Sequence, residues 1–87
     1  MAKTVLIVDD DPTQRRLLQA VLEKQGFEVA SADSGEAAMD MLARGGVDVM
    51  LLDLVMPGMD GMDVLEAVQR KGIETPVIVL TAHGGIE

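Results

Sequence analysis

Four short apolar runs, each separated from the next by a segment with helical spacing, constrain the fold of this chain more than any other feature. The first and last runs cover residues 5–8 and 77–80, and the two between them lie within 27–32 and 47–54. A β-branched run without polar alternation is typical of a strand that is buried on both faces of a parallel sheet. The sequence therefore predicts a parallel sheet whose strands are joined by helices.

Helix signals occupy the three intervals between these runs. Asp11 is a candidate N-cap and Pro12 suits the first turn of the helix that follows it. A second helix is expected behind Asp33 or Ser34, and a third over 62–71, each with apolar residues on one face. The order strand, helix, strand, helix, strand, helix, strand predicts an α/β fold with four parallel strands.

Length and composition limit the classes of protein that remain. With 87 residues we expect one domain over 1–87, and an apolar content of 48% excludes a disordered segment. A net charge of −8 argues against direct binding of nucleic acid or of an anionic membrane. No apolar run approaches the roughly 20 residues of a membrane span. We expect a soluble protein of the cytoplasm, in agreement with the absence of cysteine.

Polar side chains follow three of the four predicted strands. Asp9 and Asp10 come after the first, Asp53 ends the third, and Thr81 follows the fourth. Ligands of open parallel sheets bind beyond the carboxyl ends of the strands, so these residues should converge. Oxygen ligands alone favour a hard cation, and Mg²⁺ typically takes one or two carboxylates together with phosphate oxygens. A carboxylate beside Mg²⁺ can act as a nucleophile and form an aspartyl phosphate.

Three blocks of the chain resemble the signature blocks of bacterial two-component response-regulator receiver domains. They are VLIVDDDP at 5–12, LLDLVMPGMDG at 51–61 and VIVLTAH at 77–83. Their order and spacing match along the whole chain, and residues 81–87 most resemble receivers of enhancer-binding, nitrogen-regulatory activators. The resemblance implies a flavodoxin-like receiver fold with strand order 2-1-3-4-5, for which receivers are a standard example.

The same resemblance implies a role for each site residue. Asp53 would be the phosphoacceptor, Asp10 a direct Mg²⁺ ligand, and Asp9 its partner acting mainly through metal-bound water. The backbone carbonyl of Val55 would be a further Mg²⁺ ligand, and Thr81 the switch hydroxyl that bonds a phosphoryl oxygen.

The implied partners are a sensor histidine kinase as phosphoryl donor and an output domain, absent from this chain, that regulates transcription. The protein itself would be no enzyme beyond self-phosphorylation and self-dephosphorylation.

Members of the family continue with a further helix, strand and helix, which this chain lacks. The missing strand carries a lysine that pairs with the acceptor aspartate, and the missing last helix covers the sheet beside the first helix. We therefore expect self-association, either through strand 77–80, which becomes an edge, or through the uncovered face.

Two alternatives from other functional classes remain open. Asp9, Asp11 and Thr13 fit the Asp-x-Asp-x-Thr pattern of haloacid-dehalogenase-type phosphatases, with Asp9 as nucleophile. The chain could also be an interaction fragment that is never phosphorylated. A phosphatase predicts multiple turnover and label on Asp9, a receiver predicts stoichiometric label on Asp53, and an interaction fragment predicts no label.

Overall fold

Strands and helices alternate along the chain as the apolar pattern predicted. The computed structural model describes residues 2–54, 56, 58 and 60–80. The elements in chain order are β1 (Thr4–Val8), α1 (Pro12–Lys24), β2 (Glu28–Ala32), α2 (Gly35–Arg44), β3 (Val49–Asp53), α3 (Gly61–Arg70) and β4 (Val77–Leu80). All three strand pairings are parallel and the order is β2-β1-β3-β4. This confirms the predicted α/β fold and the first four positions of the expected strand order.

The main apolar core lies between the sheet and the helices α2 and α3. Its buried members from strands, helices and the segment after β3 are Leu6, Val8, Ala32, Ala38, Leu42, Met50, Leu52, Met56, Val64 and Val68. Val5 and Ile7 alternate with the β1 members and are buried on the opposite face, where α1 contacts β1 and β2. Each fully buried aliphatic side chain contributes about 1.5–3 kcal/mol, so this two-sided burial of β1 anchors the sheet.

A polar side chain caps the start of each helix, and the sequence predicted the caps of the first two. The Asp11 carboxylate accepts a hydrogen bond of 2.9 Å from the Thr13 N–H. The Ser34 hydroxyl, rather than Asp33, accepts from the Ala37 N–H. Asp60 caps α3 in a reciprocal capping box with Asp63. Among the described residues, no helix is both long and apolar enough to cross a bilayer.

The third strand begins later than its apolar run because of Asp48. The run predicted a strand over 47–54, whereas β3 spans Val49–Asp53. The Asp48 side chain accepts a hydrogen bond of 2.7 Å from the Thr4 N–H, while the Asp48 N–H donates to the Thr4 backbone oxygen at 2.9 Å. An oxygen of the Asp48 side chain thus accepts the hydrogen bond that a backbone oxygen would accept in a regular ladder. The strand β3 begins at the next residue, Val49.

Helix α1 is covered much less than its apolar spacing suggests. None of its residues is buried, and Leu18 and Leu22 are half-buried. Leu17 and Val21 are 59% and 57% exposed. Each precedes its half-buried neighbour by one position, which is about 100° around a helix, so only one of each pair can face the sheet.

Candidate metal centre

Three carboxylates meet where β1 and β3 end. Asp9 and Asp10 directly follow β1, and Asp53 is the last residue of β3, the strand paired with β1. One carboxylate oxygen from each of the three lies within 4.8 Å of the other two. The parallel register brings these strand ends to the same edge of the sheet, which is the convergence that the sequence predicted.

The three aspartates differ in their exposure to solvent. Asp9 and Asp53 are only 5% and 6% exposed, whereas Asp10 is exposed. Burial of a charged carboxylate is costly unless a cation or hydrogen bonds compensate for it. The site therefore has a buried floor formed by two carboxylates and a third carboxylate on the solvent side.

Backbone contacts on both sides of Asp9 hold the loop after β1. The Asp9 N–H donates to the Ala32 backbone oxygen at 3.1 Å, continuing the pairing with β2. The Asp9 carboxylate accepts from the Asp11 N–H at 3.0 Å, and the Arg15 guanidinium donates to the Asp9 backbone oxygen at 2.7 Å. Both the main chain and the side chain of Asp9 are therefore anchored.

A close approach of α3 holds the segment that carries Asp53. The Gly61 N–H donates to the Leu54 backbone oxygen at 3.2 Å. A Cβ atom at Gly61 would lie 2.5 Å from the Asp53 backbone oxygen, so any larger residue would force α3 or the end of β3 to move. An Asp-Gly pair is typical of a loop, and the sequence gives no sign of this packing role.

Mutual repulsion and burial act on the protonation of Asp9. Burial raises the pKa of the Asp9 carboxyl, and the charge and hydrogen bond of Asp53 and the charge of Asp10 raise it further. The hydrogen bond from the Asp11 N–H lowers the Asp9 pKa and only partly compensates. A bound divalent cation would favour the ionised form of all three carboxylates.

The donor set fits Mg²⁺. All three donors are carboxylate oxygens, which suit hard cations. The carboxylate oxygens lie within 4.8 Å of one another, so Asp9, Asp10 and Asp53 would hold one Mg²⁺ ion either directly or through its water.

The described residues bring together part of the predicted site. Asp9, Asp10 and Asp53 meet, and Asp11 caps α1 as predicted instead of joining them. Val55 and Thr81 lie outside the described residues, so the Mg²⁺-ligating carbonyl and the switch hydroxyl stay predictions. Arg15 is a contact of the site that the sequence did not reveal, because its partner is a backbone oxygen.

Comparison with known proteins gives one consistent family. The sequence model described as response regulator receiver domain matches residues 5–87. Transcriptional regulatory protein CpxR of Escherichia coli is 46% identical over 80 residues, which are 92% of this chain and 34% of CpxR. Sensor histidine kinase GacS of Pseudomonas protegens is 39% identical over 87 residues, covering 94% of this chain and 10% of GacS. The chain thus spans about a third or less of these curated relatives.

A solved structure supports the same family at the level of the fold. The response regulator TrrA of Thermotoga maritima, in complex with Mg²⁺ and a beryllium fluoride, superposes with a TM-score of 0.88 at 36% identity. The match covers 94% of this chain and 71% of the TrrA chain. The flavodoxin-like receiver fold implied by the sequence is therefore confirmed.

Proposed function

This chain belongs to the response regulator receiver domain family, and from that premise we propose that it accepts a phosphoryl group on Asp53 beside Mg²⁺. Asp9, Asp10 and Asp53 would hold the ion. The observation that carries the proposal is the meeting of these three carboxylates within 4.8 Å at one edge of the sheet. Receivers are phosphoacceptors rather than turnover enzymes, so each chain takes one group.

The proposed chemistry makes Asp53 the nucleophile. An Asp53 oxygen attacks the donor's phosphorus, and the bond from phosphorus to the donor atom breaks as the aspartyl phosphate forms. Mg²⁺, when bound, neutralises the charge that gathers on the phosphoryl oxygens. The burial of Asp53 keeps bulk water away from the acyl phosphate, and exposed Asp10 lies on the side from which a donor can approach.

Further parts of the proposal rest on the family resemblance. The Val55 carbonyl would complete the Mg²⁺ shell and the Thr81 hydroxyl would bond a phosphoryl oxygen. A histidine kinase would supply the phosphoryl group, and an output domain would pass the signal to transcription, as the names of relatives such as CpxR and GacS suggest. A single receiver unit over 1–87, self-phosphorylation and self-dephosphorylation, and a cytoplasmic location also stay predictions.

Labelling by a small donor tests the proposal on the full chain. With acetyl phosphate and Mg²⁺ we expect one phosphoryl group per chain, located on Asp53 by peptide mass spectrometry and absent from Asp53→Asn. Mg²⁺ binding, followed by NMR, should be lost in Asp10→Asn and kept in Asp11→Asn, which removes the same charge from a helix cap.

Other outcomes of this experiment point to the alternatives. Label on Asp9 with repeated turnover of a phosphate ester would favour the phosphatase, and no label at any position would favour the interaction fragment.

We also propose that two copies associate through β4 or the α1 side of the sheet. Pro12, Arg16 and Gln19 line a pocket together with Ser31 of β2, so their side of α1 lies above β2. Leu17 and Val21 lie roughly 150° around the helix from these residues, towards the β3 and β4 half of the sheet. This orientation accounts for their exposure.

An apolar residue of β4 lies on the same face of the sheet. Ile78 pairs with Leu51, which pairs with Ile7 below α1, and directly paired residues point to the same face. Ile78 is 53% exposed, although Ile7 in the same row is fully buried. Leu17, Val21 and Ile78 are thus exposed apolar residues on the same side of the sheet, and the surface between them is named here the α1–β4 trough.

A second copy is a suitable occupant because β4 is the outer strand among the described strands. An outer edge of this kind can pair with the same edge of another copy about a two-fold axis. Sedimentation should show a dimer that Val79→Lys weakens at the strand edge or Leu17→Lys weakens at the trough. Gln69→Lys, on exposed α3 surface, is the matched control for charge. A compact monomer at high micromolar concentration would contradict this proposal.

A further inference from the structure

Arg15 reaches from α1 back to the loop that carries the metal-binding carboxylates. Its Nη1 atom donates a hydrogen bond of 2.7 Å to the Asp9 backbone oxygen, and the side chain is half-buried. Hydrogen bonds from a charged donor are short and roughly twice as strong as neutral ones. The Asp9 carbonyl belongs to the peptide that joins Asp9 to Asp10, so this contact fixes the peptide from which Asp10 extends.

The neighbouring contacts hold the residues around that peptide. The Asp9 N–H is bonded to Ala32, the Asp9 carboxylate accepts from the Asp11 N–H, and the Arg15 N–H donates to the Asp11 backbone oxygen at 3.0 Å. The Arg15 side chain adds a hydrogen bond to the peptide that joins Asp9 to Asp10. Asp10 itself is exposed, so its carboxylate depends on the backbone for its direction.

The contact acts through geometry rather than through the charge of Arg15 on the carboxylates. The Asp9 carboxylate accepts its hydrogen bond from the Asp11 N–H, whereas the Arg15 guanidinium donates to the Asp9 backbone oxygen. The guanidinium is directed at a carbonyl oxygen, where it orients the backbone.

We propose that Arg15 is a positioning residue for the metal site, fixing the peptide between Asp9 and Asp10 so that three carboxylates converge before Mg²⁺ binds. This inference rests on the proposed function, because it assumes that Asp10 ligates the ion. A loop that is ordered beforehand loses less conformational freedom on binding. Outer contacts of this kind typically change metal affinity by about 10–100-fold.

Mg²⁺ titration of the full chain distinguishes an effect of Arg15 on backbone geometry from an effect of its positive charge. Arg15→Ala should weaken Mg²⁺ binding about tenfold. Arg16→Ala removes the same charge from the next residue, which is exposed, and should leave binding unchanged or slightly tighter. If charge alone mattered, both variants would bind the divalent cation more tightly, since each removes a positive charge near an acidic site. The two explanations therefore predict opposite signs for Arg15→Ala.

A spectroscopic measurement reports on the contact directly. The Asp10 amide nitrogen shares its peptide with the Asp9 oxygen, so its ¹⁵N shift should move in Arg15→Ala and stay in place in Arg16→Ala. Arg15→Lys keeps a charged donor and should recover most of the affinity and of the shift, which also serves if the alanine variant unfolds. If folded Arg15→Ala binds Mg²⁺ as tightly as Arg16→Ala although its Asp10 ¹⁵N signal has moved, the contact has been broken without effect on affinity and the inference is overturned. The same result in Arg15→Lys would overturn it as well. Failure of the unmodified chain to bind Mg²⁺ would instead overturn the proposed function.

Discussion

The two faces of the sheet are built from the same kind of apolar strand, yet they are covered very differently. On one face, α2 and α3 bury Met50 and Leu52 completely, and only at the outer strand is Val79, the partner of Leu52, 39% exposed. On the other, α1 covers Ile7 but leaves Ile78 and its own Leu17 more than half exposed. Apolar character in a strand thus shows that the residue can be buried, whereas the helices that pack on it decide whether it is.

The largest difference between the two faces should appear on truncation of leucine. Leu52→Ala removes a fully buried side chain and should lower the free energy of unfolding by about 2–5 kcal/mol. Leu17→Ala makes the same chemical change at an exposed position and should change it by about 0.5 kcal/mol or less. Urea unfolding at low protein concentration measures both, and equal losses would show that the α1 side is covered in solution.

A smaller effect is expected where α3 begins against the end of β3. Gly61→Ala places a Cβ beside the Asp53 backbone, and overpacking of this kind costs about 1–3 kcal/mol. The substitution should also slow the labelling of Asp53, because the added Cβ displaces the backbone of the phosphoacceptor itself. Met62→Ala, on an exposed neighbour in the same helix turn, is the control and should alter neither quantity. A fully stable Gly61→Ala chain would mean that α3 can withdraw from the sheet edge.

The smallest expected effect is a pH dependence of stability that comes from a buried carboxyl. Burial stabilises the apolar Leu52 side chain, whereas it disfavours the ionised form of Asp9. The pKa of Asp9 is raised above its usual 3.8 in the folded chain. The folded state therefore binds more protons than the unfolded state between the two pKa values. Without Mg²⁺, the stabilising contribution of protonated Asp9 is complete below the pKa of Asp9 in the unfolded chain. It is lost as the pH rises through the higher pKa of Asp9 in the folded chain.

Denaturant titrations across this acidic range can isolate that contribution. The decline with rising pH should be smaller in Asp9→Asn, which cannot ionise, and saturating Mg²⁺ should oppose it by favouring the ionised form. If the free energy of unfolding declines equally with rising pH in the unmodified chain and in Asp9→Asn, the decline comes from other groups.

Much of the site could be predicted from the sequence because parallel pairing leaves little freedom. Asp9, Asp10 and Asp53 each follow or end an apolar run, and carboxyl ends of parallel strands meet at one edge. The caps at Asp11 and Ser34 were predictable for a similar reason, since they depend on residues two or three positions away. The contact of Arg15 with the Asp9 carbonyl was not, because any residue type supplies a backbone acceptor.

The sequence by itself determined the elements, their order and the residues that meet at the carboxyl edge, because these depend on local spacing and on the geometry of parallel strands. Only the tertiary structure decided that Leu17 and Val21 stay exposed, since helical spacing does not say which apolar residue of a pair faces the sheet. It likewise decided that Gly61 is packed against Asp53, because that approach depends on the angle at which α3 meets β3. Contacts between distant elements depend on how whole surfaces fit together, and a linear pattern does not record that fit.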